Sequence, residues 1–115
     1  MGGESDAGEG DNTPGGGTPG AQADYFAEVQ DWLERHKRYP RRAKLRQLQG
    51  VAVLRFVVMR DGSISNFAVE ESSGHSLLDA EVLKLVARAQ PLPSIPKNMS
   101  SAEIELFVPI EFSLN

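Results

Sequence analysis

The sequence has no cysteine, and this absence excludes disulfide bonds and thiolate metal sites. It fits a reducing and an oxidising compartment equally well. The two histidines, His36 and His75, are isolated, and no pair of carboxylates has a spacing typical of a metal site. We therefore expect no metal, no cofactor and no catalytic residue, and we expect that the protein is not an enzyme.

Long apolar runs are also missing. No stretch of about 18 consecutive apolar residues is present, and no basic segment followed by an apolar one opens the chain. We expect neither a membrane-spanning helix nor a signal peptide in the sequence as given.

Residues 1–22 contain almost no side chains that could fill a core, and they are rich in glycine, proline and acids. A segment of this composition is typical of a flexible linker. Residues 23–115 follow, and about 90 residues are enough for one small domain with its own core. The chain is therefore predicted to contain a linker over 1–22 and a single domain over 23–115.

Charge is distributed unevenly along the chain. Residues 1–34 hold eight acids and no base, residues 35–60 hold nine bases and no acid, and residues 61–115 hold three bases and eight acids. The basic segment RHKRYPRRAKLR could suggest nucleic acid, but Tyr39 is its only aromatic residue and no nucleic-acid module surrounds it. We expect no nucleic-acid partner, and a solvated surface is the simpler interpretation for most of these side chains.

Helical spacing predicts a first helix that is capped by Asp24 and ends before Pro40. Its apolar side is Phe26, Val29, Trp32, Leu33 and His36. A short second helix, RRAKLRQLQ, is expected to end at Gly50.

Two strands, VAVLRFVVM and SISNFAVEESS, flank a hairpin turn at Asp61-Gly62. In the second strand Phe67 and Val69 are expected to face inward, and Ile64 is out of phase with them, which predicts an irregular start. A third helix follows, for which Ser76 and Asp79 resemble a capping box. Its predicted apolar stripe is Leu78, Val82, Leu85, Val86 and Ala89.

The last strand, IELFVPIEFSL, alternates apolar and mixed residues, but it has Pro109 at its centre. Proline has no N–H to give to a neighbouring strand, so Pro109 favours an edge strand whose odd-numbered side is open. The predicted fold is α+β, with a small antiparallel three-stranded sheet, helices on one face and the order α, short α, β, β, α, β. Pattern alone leaves two functions for this edge: capture of an extended peptide, or protection against aggregation.

In their order and spacing, several motifs together resemble the C-terminal domain family of TonB and its paralogues, such as HasB. They are YPRRA, LQGVAVLRFVVMRDGSISNFAVEESSG, LLDAEVLKLVARA, PLPSIP and VPIEFSL, spread over roughly 75 residues from Tyr39 to Asn115. The resemblance implies a periplasmic domain of an inner-membrane-anchored protein in Gram-negative bacteria. Such a protein takes force from the ExbB and ExbD motor, through a part N-terminal to this domain, to outer-membrane transporters of siderophores, haem or cobalamin-type nutrients.

The resemblance also implies where partners bind. The transporter's short TonB box would add as a strand beside the last strand, and the residues just before the Tyr-Pro pair would lie near it. The edge-strand candidates are Glu105, Phe107, Val108, Pro109, Ile110, Glu111 and Ser113. The candidates in the basic segment are His36, Lys37, Arg38, Tyr39 and Pro40.

Two alternatives stay open. The same edge could pair with a second copy and give a weak homodimer, which would make the domain a structural module. A TonB-like domain could also belong to a sensor or regulator.

Overall fold

The computed structural model describes residues 21–114, which form three helices and one sheet. The elements are α1 (Ala21–His36), α2 (Arg41–Leu45), β1 (Gly50–Met59), β2 (Ile64–Glu71), α3 (Ser76–Ala89) and β3 (Glu103–Phe112). All strand pairs are antiparallel, and the order across the sheet is β2-β1-β3. The predicted fold class and element order are confirmed.

One face of the sheet forms the core with the helices. Alternate residues of β1 are fully buried, as are alternate residues in the second half of β3, because successive side chains of a strand face opposite sides. These residues are Ala52, Leu54, Phe56, Val58, Val108, Ile110 and Phe112. The whole predicted stripe of α3 is buried against them. The opposite face leaves Val51 and Phe107 exposed, so the helices cover one side of the sheet only.

Helix α1 begins earlier than the sequence predicts. Asp24 lies exposed in the first turn and does not precede the helix, so its assignment as the cap is wrong. An acid in the first turn is favourable for the helix dipole, and this signal is easily taken for a cap. Ala21 and Gln22, which the predicted linker includes, are helical. The rest of the predicted linker, residues 1–20, lies outside the described residues.

Helix α1 is docked on the domain. Tyr25, Val29 and Leu33 are fully buried, and the Tyr25 hydroxyl donates a hydrogen bond to the Pro93 carbonyl at 2.7 Å. Burial, together with the nearby Glu28 charge, raises the pKa of Tyr25 to about 12, so the hydroxyl stays a donor.

The apolar side of α1 is rotated relative to the prediction. Tyr25 is fully buried on this side, whereas Phe26, Trp32 and His36 are only partly buried. Trp32 lies at the margin, where its ring nitrogen donates to the Ala89 carbonyl at the end of α3 at 2.8 Å.

Helix α2 is shorter than predicted, and its end does not use Gly50. The helix ends at Leu45, and Gln47 adopts the left-handed conformation with φ 55°. Gly50 instead opens β1, where a Cβ atom would lie 2.4 Å from the Ser73 carbonyl oxygen. The glycine is therefore needed for close approach of two backbones rather than for a helix end.

Strand β2 begins irregularly, as predicted. Its register with β1 shifts between Val57 and Val58, and Ile64 pairs with Val58. Phe67 pairs with Phe56 and so shares the inner face, yet it is 43% exposed because β2 is an edge strand. The predicted inward side of Phe67 is confirmed, although its side chain is only partly covered.

The predicted capping box at α3 is also wrong. Ser76 is the first helical residue, and His75 is the N-cap without a side-chain hydrogen bond. The Asp79 carboxylate accepts hydrogen bonds from the Ser73 N–H at 2.9 Å and the Ser73 hydroxyl at 2.7 Å, as well as from Ser72. Asp79 therefore ties the end of β2 to the first turn of α3.

The carboxylate of Asp79 should make stability depend on pH. Burial acts to raise its pKa, but the hydrogen bonds from Ser72 and Ser73 and the charge of His75 outweigh burial and lower the pKa. A lowered pKa contributes stability that is fully present above the unfolded value of about 4 and is lost as pH falls through the folded value.

We expect Asp79→Asn to destabilise the protein by about 1 kcal/mol at neutral pH, because the amide oxygen accepts these bonds less strongly than a carboxylate. In urea unfolding, the gap to the wild type should close as pH falls below about 4. The exposed Glu71→Gln makes the same charge change and serves as the control. A gap that stays constant from neutral to acid pH would contradict this assignment.

Candidate functional site

Strand β3 lies at one edge of the sheet, as Pro109 predicts. Its register with β1 is unbroken over ten pairs, in which Pro109 is opposite Val53. In an antiparallel ladder, opposite residues alternate between pairs that exchange two hydrogen bonds and pairs that exchange none. Pro109 has no N–H, so its pair is of the second kind, and so are the pairs of every odd-numbered residue of β3. The backbone groups of these residues point away from β1.

Two contacts at the end of β3 agree with this parity. The even-numbered Leu114 donates its N–H to the Gln49 side chain, next to β1, at 2.8 Å. The odd-numbered Glu111 has its carbonyl on the other side, where it accepts a hydrogen bond from the Lys37 ammonium. Within residues 21–114 no other strand pairs with this outer side.

The predicted edge residues divide into two groups. Five have exposed side chains and outward backbone groups: Glu105, Phe107, Pro109, Glu111 and Ser113. Val108 and Ile110 are buried in the core and bond toward β1, so they support the edge without reaching it.

The outer face beside this edge combines charge with apolar surface. Arg55 lies between two glutamates, with its Nε 3.3 Å from Glu70 and its Nη1 3.6 Å from Glu105. Exposed pairs of this kind contribute roughly 0–1 kcal/mol each, so their main effect is to align charges across three strands. Phe107, opposite Arg55 on β1, is 49% exposed and gives the edge an apolar side chain.

The predicted basic segment meets the C-terminal end of β3. Lys37 bonds the Glu111 carbonyl and lies 5.5 Å from the centre of the Phe112 ring. Tyr39 packs edge-to-face on the same ring at 5.5 Å, and its hydroxyl donates to the Leu48 carbonyl. The structure therefore brings Lys37 and Tyr39 of the predicted basic segment next to the Glu111 end of the predicted edge.

His36 is used locally. Its Nδ1 is 2.8 Å from the Trp32 carbonyl, and its ring lies 4.6 Å from the Trp32 ring. These contacts fix the end of α1, so they favour a structural role for the imidazole.

A buried ion pair holds the basic segment in place. Glu81 is only 6% exposed, and it accepts hydrogen bonds from Arg88 at 2.7 and 2.9 Å and from the Arg38 N–H at 3.0 Å. Arg88 also donates to the His36 carbonyl at 2.9 Å. The pair thus fixes the chain between α1 and α2. Sequence reasoning missed this pair. The signal that could have found it is Glu81, an acid beside Val82 on the apolar stripe of α3, because a buried acid needs a partner.

An open groove of about 540 Å³ lies beside this ion pair. Its lining includes four cations without a side-chain partner among the described residues, namely Arg38, Arg41, Arg42 and Lys84. Pro40 also lines it and begins α2. Unpaired cations around one cleft attract anionic groups.

The described residues show no arrangement suited to metal chemistry. In residues 21–114 no three residues of the types His, Cys, Asp and Glu lie close enough to hold an ion together. None of the helices in this range is long and apolar enough to cross a membrane.

Comparison with known proteins places these features in context. A family described as the C-terminal region of the Gram-negative bacterial TonB protein matches residues 35–114. Protein TonB of Pasteurella multocida is 36% identical over 78% of this chain and 34% of its own length. Protein TonB of Pseudomonas putida is 37% identical over 72% of this chain and 35% of its own length. The chain thus spans about a third of the length of these curated relatives.

Solved structures show the same fold. The solution structure of the Helicobacter pylori TonB C-terminal domain is similar with a TM-score of 0.68 and 23% identity, over 91% of this chain and 98% of that chain. The structure of the HasB C-terminal domain is similar with a TM-score of 0.55 and 39% identity, over 84% of this chain and 77% of that chain.

The ion pair that fixes the basic segment can be tested by a double-mutant cycle. Arg88→Met should destabilise the protein by about 3 kcal/mol, because it leaves the Glu81 carboxylate buried without a cation. Combining it with Glu81→Gln should recover at least ~1 kcal/mol relative to the sum of the single changes. Denaturant unfolding measures each step. Lys84→Met, an exposed cation on the same helix, is the control. Additive effects of the two changes would contradict the coupling.

Proposed function

Because the chain belongs to the TonB C-terminal family, we propose that it is the transporter-binding domain of a longer energy-transducing protein. In this proposal the domain lies in the periplasm of a Gram-negative bacterium. A part N-terminal to it is anchored in the inner membrane and meets ExbB and ExbD, while the domain grips the TonB box of an outer-membrane transporter. The role is mechanical and not catalytic.

The observation that carries the proposal is the outer side of β3, which pairs with no other strand in the described part of the chain. Glu105, Phe107 and Glu111 have N–H and C=O groups that point away from β1, and Pro109 adds a carbonyl. An extended peptide that adds to such an edge gains main-chain hydrogen bonds. Phe107, half exposed beside them, offers a surface for a peptide side chain.

The expected affinity is modest. The favourable free energy comes from four or five hydrogen bonds of about 1 kcal/mol each and from one or two buried side chains. It only slightly exceeds an association cost of at least ~4 kcal/mol. We expect dissociation constants that are micromolar or weaker, on the order of this estimate. Such a grip can be released in every transport cycle.

The cationic groove supports an anionic contact next to the edge. It is adjacent to Tyr39, which packs on Phe112 at the end of β3. Acidic parts of a transporter would be attracted there, and exposed charges are screened by salt. The nutrient would be of the siderophore, haem or cobalamin type.

The same open edge supports a second candidate function, which is pairing with another copy of the chain. Two β3 strands could align through their outer sides, since an unpaired edge is a template for any backbone. The domain would then be a dimerisation module, in a transporter-coupling protein or in a sensor or regulator.

Titration with a TonB-box peptide tests the proposal. Amide resonances from Glu103 to Leu114 should shift. Binding should weaken with rising salt, because salt screens the attraction between anionic groups and the cations that line the adjacent groove. Sedimentation over a range of protein concentrations without peptide separates this function from self-pairing. No shift in this range at millimolar peptide would contradict the proposal.

A pair of variants shows whether the backbone edge is responsible. Phe107→Pro removes an outward N–H and leaves the β1 ladder intact, so it should weaken binding by about fivefold more than Phe107→Ala, which removes only the side chain. Equal effects of the two variants would exclude a backbone role at this position.

A further inference from the structure

Lys37 covers the last part of the open edge of β3. Its ammonium donates to the Glu111 carbonyl and to the Glu34 carboxylate, the latter at 2.7 Å, and it lies over the Phe112 ring. The side chain is only 16% exposed, which is unusual for a lysine. It is therefore packed in place beside the edge.

These contacts divide the edge into a free part and an occupied part. From Glu103 to Pro109 the outward groups have no hydrogen-bond partner among the described residues. At Glu111 the outward carbonyl is already bonded to Lys37. An added strand lies about 4.8 Å from its neighbour, so a peptide extending past Pro109 would meet the lysine stem.

The position of Lys37 is determined by the fold rather than by the edge alone. Lys37 directly follows α1, and its N–H bonds the Glu34 carbonyl at 3.4 Å. The next residue, Arg38, is fixed by its N–H bond to the buried Glu81. The backbone is thus held by hydrogen bonds at Lys37 itself and at Arg38. The placement of the lysine does not depend on a bound peptide.

We propose that Lys37 is a stop that ends peptide addition at Pro109 and so sets the register and the usable length of the bound strand. The inference rests on the proposed function, since it assigns a role within peptide capture. An extended peptide would form its ladder with Glu103–Pro109 only, and residues beyond that point would leave the sheet.

A series of peptides of increasing length tests the stop. For the wild type, affinity should rise with length until the peptide spans Glu103–Pro109 and should then stay constant. In Lys37→Ala the Glu111 carbonyl and the adjacent space become free, so affinity should rise about fivefold further, which corresponds to ~1 kcal/mol for one added bond. The amide shifts of Glu111 and Ser113 that the longest peptide causes should be clearly larger in this variant than in the wild type.

Two further variants serve as controls. Lys37→Arg keeps a donor at the same place, so its affinity should reach the same plateau as that of the wild type. Lys44→Ala removes an exposed cation of α2 and should leave the affinity for every peptide unchanged. Amide spectra of each free variant confirm folding. The same plateau and the same shifts in wild type and Lys37→Ala would overturn the stop while leaving peptide capture intact. No binding of any peptide to the wild type would overturn peptide capture and the stop together.

Discussion

The missing backbone N–H of Pro109 is the constraint on which the rest of the site depends. Because β3 alternates strictly along its ten pairs with β1, one proline determines the orientation of every backbone group in the strand. Even-numbered residues bond to β1 and pack in the core, whereas odd-numbered ones are directed to solvent. A strand with this proline could not lie in the middle of the sheet without losing a bond. The open edge and the core are thus two consequences of one register.

The surroundings of the edge are built by the chain between α1 and α2. The buried Glu81–Arg88 pair fixes this connection, and Lys37 and Tyr39 then pack on Phe112. The edge is therefore open along its length but bounded at its C-terminal end. Four cations that have no side-chain partner within residues 21–114 line the groove next to Tyr39. A peptide would meet backbone groups first and positive charge second.

Local patterns were enough to predict the sheet and its edge. Period-two alternation identified β1 and β3, the Asp61-Gly62 turn fixed the hairpin, and Pro109 indicated the edge. The same kind of reasoning failed where two signals look alike, since an acid in the first turn of α1 resembles a cap at Asp24. It failed again at Ser76, because Asp79 bonds backward to Ser73 and not to the helix start.

Contacts distant in sequence could not be predicted from pattern. The Lys37–Glu111 bond joins residues 74 positions apart, and Arg38 meets Glu81 across 43 positions. Neither pair has a periodicity or a motif, because both join segments that only tertiary packing brings together. Similarly, the exposure of Phe67 follows from the position of β2 at the other edge of the sheet, which no residue of β2 encodes.

Amide hydrogen exchange of the free protein tests the central claim most directly. If the outer side of β3 is unpaired, the even-numbered amides from Ile104 to Ile110 exchange slowly, and those of Glu105 and Phe107 exchange much faster. Slow exchange at both Glu105 and Phe107, to the level of their even-numbered neighbours, would show that this side is already bonded and would contradict the account.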